Sequence, residues 1–439
     1  MGFEERLGAA ILGRIRRRKA ALPVGNASLG NGAAPAPARL RVATFSDFEG
    51  ITALKSRCGL FADSMENWNR LWRSNPALQG VTDRPIGWVL EADQKVVGYL
   101  GNISLRCRYG NRILSAVTSH GFAVDPPYRA VALSLASAFY RQKSVDAFIS
   151  SSAIEATGKM SLAFKCAALP QPDYSTVLFW VLRTKSFSRV LMTRMDIRPA
   201  VAPIASNFIA IGIAVDKVLR RRGSNRALSA LTVTEGGIDS IGVDIDDLLA
   251  DILNDGQRLY ADRSAQVLRW HFEIPGDRGT VRVFRSYENQ KLRGYAVVRT
   301  DIDDSGLKKS VLADLIARND DPEIVRALWV AIYEHASAIG SDVLEVQGFP
   351  SSIRQVLLAF RPYRRKLPAC PYFYRATDST LHQTLGNALA WYACPFDGDA
   401  TLIRPSYSSS GAPTGSGHLD HAHNSGDIEF AKAEGIEAV

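Results

Sequence analysis

Three dipeptides recur in this chain at one fixed spacing, and that recurrence restricts the fold more than any other feature. Gly98-Tyr99 returns as Gly294-Tyr295, Asp125-Pro126 as Asp321-Pro322, and Ala163-Phe164 as Ala359-Phe360, each time 196 residues on (294 − 98, 321 − 125, 359 − 163). A looser pair precedes them: Trp72 with Pro76, and Trp270 with Pro275. Matches at one offset, in like hydrophobic patterns, predict one domain copied twice with no net insertion. Internal repetition decides the architecture before any single element does.

The 439 residues suffice for two or three domains, and 46% hydrophobic with 22% charged residues is the composition of a globular protein. Cys58, Cys107, Cys166, Cys370 and Cys394 are scattered, with no CxxC pair, so neither a zinc site nor a disulfide framework is expected and a reducing cytoplasm is the default. The net charge of +9 is concentrated at Arg14–Lys19, Arg220–Arg222 and Arg361–Lys366. Such clusters read first as solvated surface, so no nucleic-acid partner is expected. Phe3, Leu7, Ile11 and Ile15 share a face of a basic helix over 3–20, which could rest on a membrane surface. The apolar run from Ala200 to Val215 is too short to span a bilayer and reads as a helix buried between domains.

Five regions follow: a basic helix and linker (1–38), a first domain (39–185), a helical linker (186–227), a second domain (228–405) and a Ser-, Gly- and His-rich tail (406–439). In the first domain the pattern gives a strand at 40–43, helices at 47–57 and around Trp68–Trp72, a hairpin of 86–91 with 96–106 about an Asp93-Gln94 turn, and a strand at 113–124. A helix at 130–142, a strand at 147–150, a helix at 153–165 and a closing strand at 176–183 complete it. The second domain gives a helix at 259–272, strands at 281–286, 293–299 and 310–316, a helix at 322–338, a strand at 343–347, a helix at 351–360 and a strand at 372–376. The fold class is α/β (α+β), two tandem domains with mixed, mostly antiparallel sheets flanked by helices.

The segment Phe122-Ala-Val-Asp-Pro-Pro-Tyr-Arg129-Ala-Val-Ala-Leu-Ser134, within that element order, resembles the central motif of the GNAT acyl-coenzyme A N-acyltransferase superfamily. The tandem arrangement resembles mycothiol synthase and the Fem-type aminoacyltransferases. The resemblance implies an acyl-coenzyme A, such as acetyl-CoA, held by Phe122, Ala123, Val124, Arg129, Ala130, Val131, Ala132, Leu133 and Ser134, with no metal. The physical reason is general: a diphosphate needs backbone donors at a helix N-terminus, and small side chains to reach them. The chain departs from the family where Ala130, Ala132 and Ser134 replace glycines. At the same offset the second copy carries Val325, Leu328 and Trp329, with Asp320 and Asp321 before the helix. Bulk and negative charge there predict no coenzyme A site in that copy, which instead helps shape an acceptor cleft.

Acyl transfer also needs a base for the amine and a proton for the leaving thiolate. His120, on the central strand, titrates near neutrality and is the candidate base; a buried structural histidine is the competing reading. The family's tyrosine on the last helix has no counterpart within 152–164, so Tyr174, on the following loop or strand, is the remaining candidate acid, with water as the alternative. Asp397-Gly398-Asp399 reads as a turn, His418, His421 and His423 as part of a flexible tail, and Trp72 and Trp270 as core. The expectation is a cytoplasmic N-acyltransferase acting on a primary amine of a small metabolite, sugar or cell-envelope precursor. An inactive scaffold with the same shell, and a Fem-type transferase using aminoacyl-tRNA, stay open.

Overall fold

The computed structural model describes residues 36–194 and 231–402, apart from 82, 152, 154, 254–257, 277–279, 304 and 368–371. The expected helix over 3–20, the apolar run 200–215, the Arg220 cluster, Cys370 and the histidines of the tail lie outside these residues. From Ala38 onward the described residues pack as one compact unit.

The first copy runs β1 (Arg39–Val42), α1 (Phe48–Arg57), α2 (Met65–Trp72), β2 (Gly87–Ala92), β3 (Lys95–Tyr109), β4 (Arg112–Val124), α3 (Ala132–Tyr140), β5 (Ala147–Ser150), α4 (Glu155–Ala163), β6 (Ala167–Ala168) and β7 (Thr176–Val181), followed by α5 (Thr184–Arg194). The second runs β8 (Thr232–Gly236), α6 (Val243–Leu253), β9 (Leu259–Ala261), α7 (Ala265–Phe272), β10 (Thr280–Glu288), β11 (Lys291–Ile302), β12 (Lys308–Ala317), α8 (Pro322–Ala338), β13 (Val343–Val346), α9 (Ser351–Leu358), β14 (Tyr363–Lys366), β15 (Phe373–Ala376) and α10 (Ser379–Thr384). Local chemistry sets the boundaries. The Ser64 hydroxyl accepts from the Asn67 N–H and opens α2. Asp93-Gln94 and, 196 residues on, Asn289-Gln290 all take positive φ, as two-residue hairpin turns require.

The helix expected over 259–272 is in fact a strand followed by a helix. β9 leaves its own copy and pairs with Cys107–Tyr109 at the far end of β3. That end exists because the first hairpin is longer. Gly98 pairs with Val124, whereas Gly294 pairs with Ala317, so the second hairpin is three residues shorter (124 − 98 = 26; 317 − 294 = 23). A one-turn helix at Arg318–Asp320 restores the register before Asp321-Pro322. The 196-residue spacing therefore hides a compensated deletion and insertion.

The two sheets trade strands. The N-terminal sheet has the order β1-β2-β3-β4-β5-β15-β6, with β9 against β3, and the C-terminal sheet the order β14-β7-β13-β12-β11-β10-β8. Each copy's closing strand thus sits in the other copy's sheet, between that copy's β5 and β6 or their equivalents, β13 and β14. The strands at 176–183 and 372–376 exist as expected but do not complete their own domains. The exchange is cemented by packing: Trp180 on β7 lies 4.3 Å, centroid to centroid, from Trp329 on α8. A buried cluster including Ile149, Tyr174, Tyr372, Tyr374 and Trp391 joins residues of both copies.

Candidate active site

The site begins where two strands part. β4 and β5 run parallel through only three rungs, ending at Thr118 opposite Ile149. Beyond Thr118, β4 continues to Val124 with β3 alone as its ladder partner, which leaves a wedge between β4 and β5. The ladder with β3 is irregular between Tyr99–Ala123 and Gly101–His120, at Gly121. Gly121 has φ +63°, and a Cβ there would come within 2.5 Å of Lys55 Cε, so both conformation and space demand glycine.

Past the irregularity, the backbone donors divide. The Asp125 N–H bonds the Val97 carbonyl at 2.9 Å. By antiparallel alternation the Ala123 N–H also faces β3, while Phe122 and Val124 direct theirs away from it, toward the wedge. The Val124 N–H faces the Cys58 thiol at the end of α1, close enough to favour its thiolate. Of the three amides singled out from sequence, Phe122's is the one turned to the wedge and not engaged by β3 or Cys58.

Below the irregularity lies a buried charge cluster that sequence reading reached only in part. Lys55 Nζ lies 2.6 Å from Asp63 Oδ2 and 3.0 Å from His120 Nε2, and the imidazole Nε2 lies 2.9 Å from the same carboxylate oxygen. Asn67 donates to the other oxygen, Oδ1, at 2.9 Å. All four residues are buried. Burial works to raise the Asp63 pKa, but His120 and Lys55 outweigh it and hold the carboxyl well below its usual range. His120 is pushed down, first by burial and then by the Lys55 ammonium, against the pull of Asp63. The cluster is a lysine–aspartate ion pair beside a neutral imidazole. With the Nε2 proton directed at Asp63, Nδ1 keeps a lone pair. Lys55 and Asp63 stand 65 and 57 residues before His120, with no motif linking them.

The segment 126–131 forms a short 3-10 turn and passes into α3 at Ala132. Arg129, Ala130, Val131 and Leu133 are exposed, Ala132 and Ser134 half-buried. The Ser134 hydroxyl folds back to the Val131 carbonyl at 2.7 Å. Asp125 caps nothing; it is paired with Arg57 at 2.8 Å, which adds a second guanidinium beside Arg129's segment. Small residues, the Arg129 side chain and the Arg57–Asp125 pair therefore gather at this helix start.

Tyr174 lies elsewhere. It is buried against Tyr372 at the seam between the sheets, in a core cluster that includes none of Lys55, Asp63 and His120. What the C-terminal copy does bring to the wedge is the turn at 397–399. Ser151, just after β5, donates to Asp399 Oδ1 at 2.5 Å and accepts from the Asp399 N–H at 3.0 Å. Asp399 is close enough to favour the charged form of His120. The turn is held by Arg263, buried between Asp314 (3.1 Å) and Asp397 (2.7 Å). Trp72 lies 6.0 Å from the His120 ring; Trp270 lines a cavity between the copies with Asn75, Ser104, His271 and Gly398.

In the second copy, α8 begins directly at Pro322, with the Asp321 side chain accepting from the Glu323 N–H. Val325, Leu328 and Trp329 are fully buried. They fill the core, so the obstruction over the helix start expected of them is not what these side chains provide. Asp320 is engaged by Arg258 at 2.7 Å and by Ser352.

The fold is similar to that of solved GCN5-related N-acetyltransferases. A solved GCN5-related N-acetyltransferase from Anabaena variabilis ATCC 29413 matches with a TM-score of 0.50 and 12% identity, over 78% of this chain and 73% of that one. A second, from Kribbella flavida, matches with a TM-score of 0.47 and 12% identity, over 80% and 73%. No protein-family model matches the sequence, and no curated protein does. Among the described residues, no helix is long and apolar enough to cross a membrane, and no group of three or more His, Cys, Asp or Glu side chains is placed to hold a metal.

Proposed function

We propose that the protein is an N-acyltransferase that moves an acyl group from acyl-coenzyme A to a primary amine, with one site per chain, in the N-terminal copy. The observation that carries this reading is the buried His120, hydrogen-bonded to Asp63 beside the wedge between β4 and β5. The thioester would enter the wedge with its carbonyl near the Phe122 N–H, and the diphosphate would rest at the start of α3 beside Arg129 and Arg57. His120 takes the amine proton as the C–N bond forms and the C–S bond breaks; solvent protonates the thiolate. Asp63 holds the imidazole and stabilises its cation, while Lys55 keeps the resting ring neutral. The acceptor is a small amine reached between the two copies.

Calorimetric titration with acetyl- and longer acyl-coenzyme A tests the reading. Binding should be one per chain and weaker in Arg129→Ala. His120→Gln should bind the donor normally and transfer it at least a hundredfold more slowly, the scale of a lost general base. Absence of binding by every acyl-coenzyme A would leave the fold as a scaffold.

A further inference from the structure

The repeated tyrosines occupy matching places and differ in one respect. In both copies the residue lies two positions before the same rung of the central hairpin: Gly101 faces His120, and Val297 faces Asp314. In the C-terminal copy, the Tyr295 hydroxyl donates to Asp314 at 2.8 Å. In the N-terminal copy His120 is drawn to Lys55 and Asp63 instead, and the Tyr99 hydroxyl has no hydrogen-bond partner among the described residues.

Tyr99 is fully buried. Its ring runs along β3 over Gly101, where a Cβ would collide with the hydroxyl; the same Cβ would lie 2.9 Å from the His120 carbonyl oxygen. The hydroxyl therefore sits at the His120 rung. Lys55 Nζ is 5.7 Å from the ring centroid. A second buried hydroxyl, that of Thr118, also lacks a hydrogen-bond partner among the described residues, and it precedes His120 by two residues on β4. The histidine is thus flanked by two unsatisfied hydroxyls, each of a kind that costs stability when buried. The copy read as structural satisfies its tyrosine; the copy read as active leaves it open. Polar groups left unpaired by the fold are what a ligand site holds in reserve.

We propose that Tyr99 is an acceptor-orienting residue, whose hydroxyl bonds a polar substituent next to the reacting amine. This rests on the acyl-transfer reading above and adds a substrate class: amines with a hydrogen-bonding group beside the nitrogen, in preference to apolar alkylamines. A site built for such a group discriminates strongly against analogues that lack it.

The test uses the full chain and two phenylalanine variants, with acetyl-coenzyme A as donor and glucosamine, ethanolamine, cyclohexylamine and propylamine as probes. Tyr99→Phe should lower kcat/KM about tenfold on the hydroxylated amines, chiefly through KM, and leave acetyl-coenzyme A affinity unchanged. Its thermal midpoint should stay level or rise, because no folded-state hydrogen bond is lost. Tyr295→Phe should lower the midpoint and keep kcat/KM per folded molecule. A Tyr99→Phe midpoint that falls as far as that of Tyr295→Phe overturns the proposal, as does unchanged turnover of every amine the wild type accepts. Turnover of the alkylamines alone overturns the substrate class. Wild-type protein that fails to bind acetyl-coenzyme A overturns the underlying reading itself, a different result from binding with an inert Tyr99→Phe.

Discussion

Ser151 and Asp399, 248 residues apart, bond each other twice, side chain to side chain at 2.5 Å and backbone N–H to hydroxyl at 3.0 Å. The contact ties the rim of the N-terminal wedge to the last described segment of the C-terminal copy. Asp397, two residues earlier, accepts from the Ala261 and Cys394 N–H groups as well as from Arg263. The turn is therefore anchored in one copy and presented to the other. Duplication here supplies more than a second globule: one copy's loop closes against the rim of the other copy's wedge.

Gly398 makes that presentation possible. Its φ is +126°, and an added Cβ would run into the Ser151 side chain. Gly398→Ala should destabilise the protein by about 1–3 kcal/mol, the cost of such a backbone conformation. Urea unfolding reads this directly. An unchanged midpoint would mean the turn can relax away from Ser151.

Asp63→Asn removes the anion from the buried cluster while Lys55 stays within it. Breaking a buried pair from one side costs about 3–5 kcal/mol, because the remaining charge has no compensation. Lys55→Met with Asp63→Asn should recover part of the loss. A double-mutant cycle by chemical denaturation gives the coupling; strict additivity would show that the two groups do not interact across their 2.6 Å contact.

Much of this was readable in advance, for identifiable reasons. Periodicity and turn chemistry are local, so the hairpins about Asp93-Gln94 and Asn289-Gln290, and the helix opening at Pro322, follow from a few residues each. The repeat made the mixed α/β architecture legible, and the match at Ala163-Phe164 and Ala359-Phe360 falls at the ends of equivalent helices. The exchange of β7 and β15 was not legible, because a buried strand carries the same apolar pattern in either sheet. Nor was β9, which pairs only because β3 overruns its counterpart. In the site, His120 stood out as a titratable residue on an apolar strand. Lys55 and Asp63 did not: their significance lies in meeting His120 across a helix and a loop, and nothing in their sequence neighbourhoods marks that. Asp397-Gly398-Asp399 was read as a turn, which it is, yet its burial at the seam depends on Arg263, 134 residues away.

The strand exchange predicts that neither copy folds alone. A chain ending at residue 185 would leave β5 without β15 and release β7 with an unpaired edge; a chain starting at 228 would lose β7 from between β13 and β14. Exposed edges of that kind aggregate. Each half expressed separately should be insoluble or lack a cooperative transition, while the two together should recover one. A soluble, cooperatively unfolding half, followed by circular dichroism, would contradict the exchange.

The buried histidines fix the direction of the pH response. Burial and the Lys55 ammonium hold the folded-state His120 pKa below the value of about 6.5 that an unfolded histidine has. Between those two values the unfolded chain binds the proton and the folded one resists it, so stability rises with pH across that window. The contribution is present in full above about 6.5 and is lost as pH falls toward the folded value. His271, pushed well down by burial and by Arg70 and Arg263, acts in the same direction. Asp63, with its pKa held low, adds a further loss at more acidic pH, below about 3.9. Denaturation midpoints measured between pH 7.5 and 5 should therefore fall on the acid side, and His120→Gln should flatten that fall without abolishing it, since His271 remains. The acid limb of kcat/KM should lie below about 6.5, because the folded base stays neutral there. An acid limb above that value would assign the proton transfer to a group other than His120.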